Sequence, residues 1–214
     1  MAAKLLNDMV KDDFSFDNSL WVFSGRRGIH CWICDPEARN MTNDMRSAVT
    51  AYYDLPRGNE NSDKLFISWP MHPMLRRSYN FLVDFFEDIV VVEQGLLSVD
   101  KHREKFLKFL PNPELRDKVR DAWVVCRGDG PAMWRAWQDH YSEWKTSQKK
   151  NYDLSIEALV LYYLYPRLDA NVSTAINHLL KSPFCVHPKT GNICVPFDPR
   201  YVENFKLAEV PTLT

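Results

Sequence analysis

Long apolar runs are absent from these 214 residues. No stretch approaches the roughly 18 uncharged residues of a membrane span, and the opening MAAKLLNDMVKDD has no apolar core of a secretory signal. Excess charge is absent too. Lys and Arg number 27 against 28 Asp and Glu, a net charge of -1, so no overall field draws in nucleic acid and any such binding rests on a local patch. Cysteine is sparse and odd in number. Five (Cys31, Cys34, Cys126, Cys185 and Cys194) in a chain too large to need staples argue against a disulfide framework and for a reduced compartment. No internal repeat or low-complexity segment occurs. What remains is an ordinary globular composition, 45% hydrophobic and 26% charged, long enough to bury a substantial core.

The most informative stretch is Trp21 to Asp35, WVFSGRRGIHCWICD. Two short runs rich in aromatic and β-branched residues flank Gly25-Arg26-Arg27-Gly28, which reads as a β-hairpin. A turn needs only the glycines, so two adjacent arginines at its tip call for another reason. With Ser24 and His30 they place a hydroxyl, two guanidiniums and an imidazole on one short turn. Guanidinium forks match phosphate oxygens and glycine lets the backbone approach closely, so the set suits a polyphosphate. The competing reading is a solvated tip with two ordinary surface arginines.

The first residues, with Leu5, Leu6, Met9 and Val10 on one side, look like a helix already under way. Asp35-Pro36 reads as an N-cap followed by proline at the first helical position. Met45, Ala48, Val49, Tyr52 and Tyr53 supply a helical face, and Pro56 to Asp63 is a polar loop. From Met74 the spacing Leu75, Tyr79, Leu82, Val83, Phe86, Val90 predicts one long amphipathic helix ending before Gly95. Shorter helices are expected at Asp100 to Leu110, from Asn112-Pro113, and from Pro131, where Trp134, Trp137, Tyr141 and Trp144 form a stripe that reads as core. Residues 71–150 therefore read as a helical subdomain. After the polar linker Ser147 to Asn151, Asp153 caps a helix apolar nearly all round, ended by Pro166. Ser173 can cap a short helix through Leu180. Phe184-Cys185-Val186 and Ile193-Cys194-Val195 read as strand arms around Pro188 to Gly191, and the final NFKLAEVPTLT suggests no terminal element. Two hairpin-bearing segments thus bracket a helical insert, and their strands most simply pair in one sheet, giving an α+β fold.

The second segment carries Asp169, His178, Lys181, Ser182, His187 and Lys189. Facing the first hairpin, these groups would make a strongly positive site with a single carboxylate. Such a site fits a nucleoside triphosphate whose phosphates meet Arg, Lys and His while a divalent ion bridges them to aspartate. Cys31-Trp-Ile-Cys34 is a poor redox motif, because in a strand i and i+3 face opposite ways. Zinc held by Cys31, Cys34, Cys185 and Cys194 and simply buried free thiols both remain open.

The segments SGRRGIHCWICD, YPRLDANVSTAINHLLKSPF and CVHPKTGNICVPFD, in that order, resemble the small catalytic subunit of eukaryotic DNA primase, within the archaeo-eukaryotic primase superfamily. The resemblance implies a primase-type catalytic fold, a mixed sheet with a helical insertion. The division is then 1–70 with the phosphate-binding hairpin, 71–150 as the insertion, and 151–214 with the metal aspartate and second hairpin. It implies that Ser24, Arg26, Arg27 and His30 bind the incoming triphosphate and that Lys181 and His187 add phosphate contacts. Asp169 becomes the catalytic residue of this chain, one of three carboxylates holding Mg2+ or Mn2+. The implied reaction is two-metal nucleotidyl transfer making short RNA primers on single-stranded DNA, in a nuclear complex with the primase large subunit and DNA polymerase alpha. The family's D-x-D pair occurs nowhere in this sequence, and its zinc-binding cysteines, also upstream, are missing. The expectation is a chain truncated at both ends. The alternative function is a non-catalytic nucleotide- or partner-binding remnant.

Overall fold

The computed structural model of the protein describes residues 1–55, 65–149 and 152–213. The chain divides into two units, Met1–Leu55 with Pro166–Thr214, and Pro56–Tyr165. The expected polar loop at Pro56 to Asp63 lies outside the described residues, as do Lys150 and Asn151 of the expected linker.

The first unit is built on a three-stranded sheet. Helix α1 (Ala2–Phe14) buries Leu5, Met9 and Val10 and ends at Ser15 in the left-handed conformation. Strand β1 (Ser19–Phe23) pairs antiparallel with β2 (Ile29–Ile33), from Ser19 opposite Ile33 to Phe23 opposite Ile29. Trp21, Val22 and Phe23 are buried because β1 is the central strand, flanked on its other edge by β3 (Pro196–Phe197). Both pairings are antiparallel, where a mixed sheet was expected. The second hairpin-bearing segment does join the first in one sheet, but through Pro196–Phe197. Its expected arms form no regular strand pair among the described residues but meet at the Val186–Ile193 bridge and through backbone bonds between Cys194 and Phe184 and Cys185.

Other local expectations shift for identifiable reasons. Asp35 occupies the N-cap position of α2 (Pro36–Arg39) without a side-chain cap bond. Its carboxylate instead accepts from the backbone N–H of Asp17 (3.1 Å) and Asn18 (3.0 Å) and from Asn18 Nδ2 (2.9 Å), closing the hairpin at the end opposite the arginines. Burial pushes this carboxyl's pKa up, but the bonds from Asn18 and Asp17 prevail and hold it below the usual carboxylate value. Helix α3 (Asn43–Tyr53), capped by Thr42, packs against the short α9 (Ala170–Thr174). The helix expected from a Ser173 cap through Leu180 does not form: Ser173 lies inside α9, which ends at Thr174 where Ala175 turns extended, and Ile176 and Leu179 are left exposed. The final residues are structured: Ile193 N–H donates to Pro211 O (2.8 Å) and Leu213 N–H to Gly191 O (2.9 Å), adding an edge to the second turn.

The second unit is helical. Helix α4 (Pro73–Leu82) is followed by a 3-10 turn at Val83–Phe85 and a π-helix at Glu87–Glu93, not by one continuous α-helix. The β-branched run Ile89 to Val92 crowds an α-helical turn, and the wider π spacing lets Phe86, Val90 and Val91 all be buried. Helix α5 (Asp100–Phe109) leads to α6 (Pro113–Val125), capped by Asn112, and α7 (Gly130–Ser147), capped by Asp129. Along α7 the rings of Trp134, Trp137 and Tyr141 stack at centroid separations of 5.3 and 5.2 Å. Trp123 Nε1 donates to Met133 O (2.7 Å) and Trp137 Nε1 to Phe106 O (3.3 Å), so these buried indoles are satisfied. Helix α8 (Ser155–Leu164) falls within this unit, beyond the expected cut near 150. Its residues are apolar nearly all round, and α4 and α5 supply the partners such a helix needs. The exception is Glu157, buried, whose Oε1 lies 3.2 Å from Arg76 and 3.9 Å from Lys145.

Candidate functional site

Two turns of the first unit meet. Gly25 follows β1 with φ +85, and a Cβ there would lie 2.5 Å from His187 Cβ, so only glycine lets the first turn approach the second this closely. The second turn holds on through the Gly25 carbonyl, which accepts from Thr190 Oγ1 (2.8 Å) and Asn192 Nδ2 (2.9 Å). Neither Thr190 nor Asn192 stood out in the sequence. A hydroxyl and an amide in a Pro-Lys-Thr-Gly-Asn turn are ordinary until the carbonyl they grip is known.

Within the first turn, Ser24 N–H donates to Gly28 O (2.9 Å) and Ser24 Oγ accepts from Gly28 N–H (3.0 Å). The hydroxyl therefore closes the turn and still has its own proton to give. Arg26 and Arg27 project from it, both exposed, and neither forms a hydrogen bond or ion pair among the described residues. On β2, His30 is half-buried. Its pKa is held below the ordinary 6.5 by burial first, then by the nearby charges of Lys181 and His178. The charges of Lys181 and His178 thus reach the strand that follows the arginine turn. In the second turn, His187 Nδ1 accepts from Lys189 N–H (3.3 Å) and touches Thr190 Oγ1 (3.1 Å). An Nδ1 that accepts leaves the proton of the neutral ring on Nε2, an N–H donor.

Ser24, Arg26 and Arg27 thus sit in the first turn and His187 in the second, His30 follows the first turn on β2, and Lys181 is linked to them through its charge on His30. Asp169 does not share their contacts. It is exposed at the N-cap position of α9, makes no cap bond, and α9 packs on α3. Among the described residues no three His, Cys, Asp or Glu side chains gather as a metal would require. All five cysteines are free thiols, Cys194 buried and Cys34 exposed. Cys31 is pushed up to about 12 by burial and then Cys34, and Cys194, fully buried, to about 11 by burial and then its Cys185 neighbour. Neither is poised as a thiolate, which disfavours a redox role.

The turns present exposed guanidiniums, an imidazole N–H and a hydroxyl proton on two closely seated stretches of backbone. Residues 1–199 match the family described as DNA primase small subunit. The whole chain is 37% identical to the DNA primase small subunit of Schizosaccharomyces pombe, covering 48% of that protein. It is 34% identical to that of Drosophila melanogaster and 36% to that of Saccharomyces cerevisiae, covering 51% and 53% of them. The chain spans about half the length of these curated relatives.

Proposed function

Because the chain belongs to the DNA primase small subunit family, whose members are nucleotidyltransferase-type enzymes, we propose that its paired turns form the triphosphate cradle of an RNA-primer-synthesising polymerase. The observation that carries this reading is the seating of Gly25 against His187, with Thr190 and Asn192 gripping the Gly25 carbonyl. It supports the reading by joining two distant sequence segments that carry the cations.

In this reading Arg26 and Arg27 bind phosphate oxygens as forks, His187 Nε2–H and Ser24 O–H donate to others, and Lys181 adds an ammonium. His30 is neutral in the empty site because charging it there is unfavourable, and a polyanion reverses that preference. As a 3′-hydroxyl attacks the α-phosphate, negative charge grows on the departing pyrophosphate. Donors already in place stabilise it without having to reorganise. Divalent ions would activate the hydroxyl and neutralise the phosphates. Asp169 could contribute one carboxylate to them, but alone it does not make a site, since Mg2+ takes about six oxygens in near-octahedral geometry. The cradle is thus the part of the machinery that these residues complete. Work on a single-stranded DNA template, association with a large subunit and DNA polymerase alpha, and a nuclear location extend the same family reading.

Calorimetric titration of this chain with a nucleoside triphosphate tests it. One-to-one binding that Lys181→Ala and Arg26→Ala each weaken is expected. Absence of binding, or binding indifferent to both changes, contradicts it. Primer synthesis by this chain alone with Mn2+ would contradict the assignment of only one metal carboxylate to these residues.

A further inference from the structure

Phe184 sits where a phenylalanine is out of place. Its N–H donates to Cys194 O (2.7 Å), while Cys194 N–H donates to Cys185 O (2.8 Å), so two residues of one arm oppose one of the other. In this kind of β-bulge the first residue has positive φ and is ordinarily glycine. Phe184 has φ +66 and its side chain stands 71% exposed. A bulky residue in the left-handed region costs backbone free energy. An exposed ring returns none of that through burial, and Phe184 joins no aromatic pair among the described residues. Backbone strain kept at a functional site is a reason to ask what the side chain does there.

Its surroundings give the answer. Phe184 lies three residues after Lys181 and three before His187, both of the proposed cradle, and three residues of extended chain reach about 10 Å. Cys194, whose carbonyl holds the Phe184 amide, also feels the Lys181 charge, so the ring is rooted beside the cationic cluster. A flat exposed aromatic next to cations is the pairing that holds nucleotides, with charge on the phosphates and a ring against the base. The exposed aliphatic side chains upstream, Ile176 and Leu179, offer no such flat face. Resting on the cradle reading above, we infer that Phe184 is the stacking platform for the base of the nucleoside triphosphate held by the two turns. Stacking is indifferent to base identity, so the platform adds affinity for nucleotides without selecting among them.

The test measures binding of ATP and of inorganic tripolyphosphate, at one fixed Mg2+ concentration, to the unaltered chain, Phe184→Gly and Phe184→Trp. Glycine accepts φ +66, so Phe184→Gly is expected to fold with no loss of melting temperature. It should bind ATP about tenfold more weakly while binding tripolyphosphate within about twofold of the unaltered chain. Phe184→Trp should retain ATP affinity. Equal weakening of both probes by Phe184→Gly would mean the residue only shapes the phosphate contacts, and no weakening of either would leave it without a role in binding. Both results overturn the inference. So does a loss confined to a single-stranded oligothymidine, which would assign the ring to a template. Failure of the unaltered chain to bind either phosphate probe would instead overturn the cradle beneath it.

Discussion

The two units handle polar and aromatic groups in opposite ways. In the helical unit Trp134, Trp137 and Tyr141 stack out of water, the Trp123 and Trp137 indoles find carbonyl partners, and buried Glu157 faces Arg76 and Lys145. In the sheet unit Arg26 and Arg27 stand exposed, His30 is biased against its charged form, and Phe184 is exposed at φ +66. These stacked rings and paired indoles of the helical unit are satisfied internally, although Glu157 Oε2 stays buried without a partner among the described residues, whereas Arg26, Arg27 and Phe184 of the sheet unit face outward. That contrast separates side chains kept for stability from side chains kept for a ligand, and substitutions on each side should split accordingly.

The largest effect belongs to the satisfied side. Trp137→Ala deletes a fully buried ring between two stacked neighbours and should cost about 3–5 kcal/mol in chemical denaturation, melting the helical unit first. Arg27→Ala should leave the denaturation midpoint unchanged and weaken nucleoside triphosphate binding by about 2–3 kcal/mol, the worth of a charge-assisted fork. If stability falls and affinity does not, the contrast fails at that residue. Gly25→Ala lies on the border between the two classes. With φ +85 and a Cβ 2.5 Å from that of His187, it should cost about 1–3 kcal/mol of stability and reduce triphosphate affinity by pushing the turns apart. A smaller effect comes from His30. Its folded pKa lies below the unfolded 6.5, so its neutral form is the one the fold favours. Stability is therefore full above about 6.5 and declines as pH falls through 6.5 toward the lowered folded value. Lys181→Met should lessen that decline in melting curves taken from pH 7.5 to 5. Least of all, Lys118→Ala, which breaks an exposed pair with Glu114 at 3.0 Å, should change stability by under about 0.5 kcal/mol.

Legibility in the sequence follows the same line. The capped helices of the second unit were readable because apolar spacing, Asn112-Pro113 and Pro131 act locally, although the Asp129 cap was not singled out. The π-helix at Glu87–Glu93 was not, because apolar residues there satisfy more than one helical period and burial of Phe86 with both Val90 and Val91 decides. The arginine hairpin was legible from its glycines and flanking strand formers. The grip of Thr190 and Asn192 on Gly25 was not, since it joins positions more than 160 apart in the chain. Asp35 and Pro36 open a helix as read, but the partner of the Asp35 carboxylate was not legible, because the amides of Asp17 and Asn18, far off in sequence, take it in place of the helix's own. The positive φ of Phe184 carried no signal either, because Pro-Phe-Cys names no glycine.

The claim under all of this is that both turns close on one anion. Histidine NMR during a tripolyphosphate titration tests it most directly, because His30 reports the first hairpin and His187 the second turn. Both imidazoles should shift with a single shared midpoint, and Arg27→Ala should raise that midpoint for both by the same factor. Separate midpoints, or movement of only one ring, would contradict a common cradle.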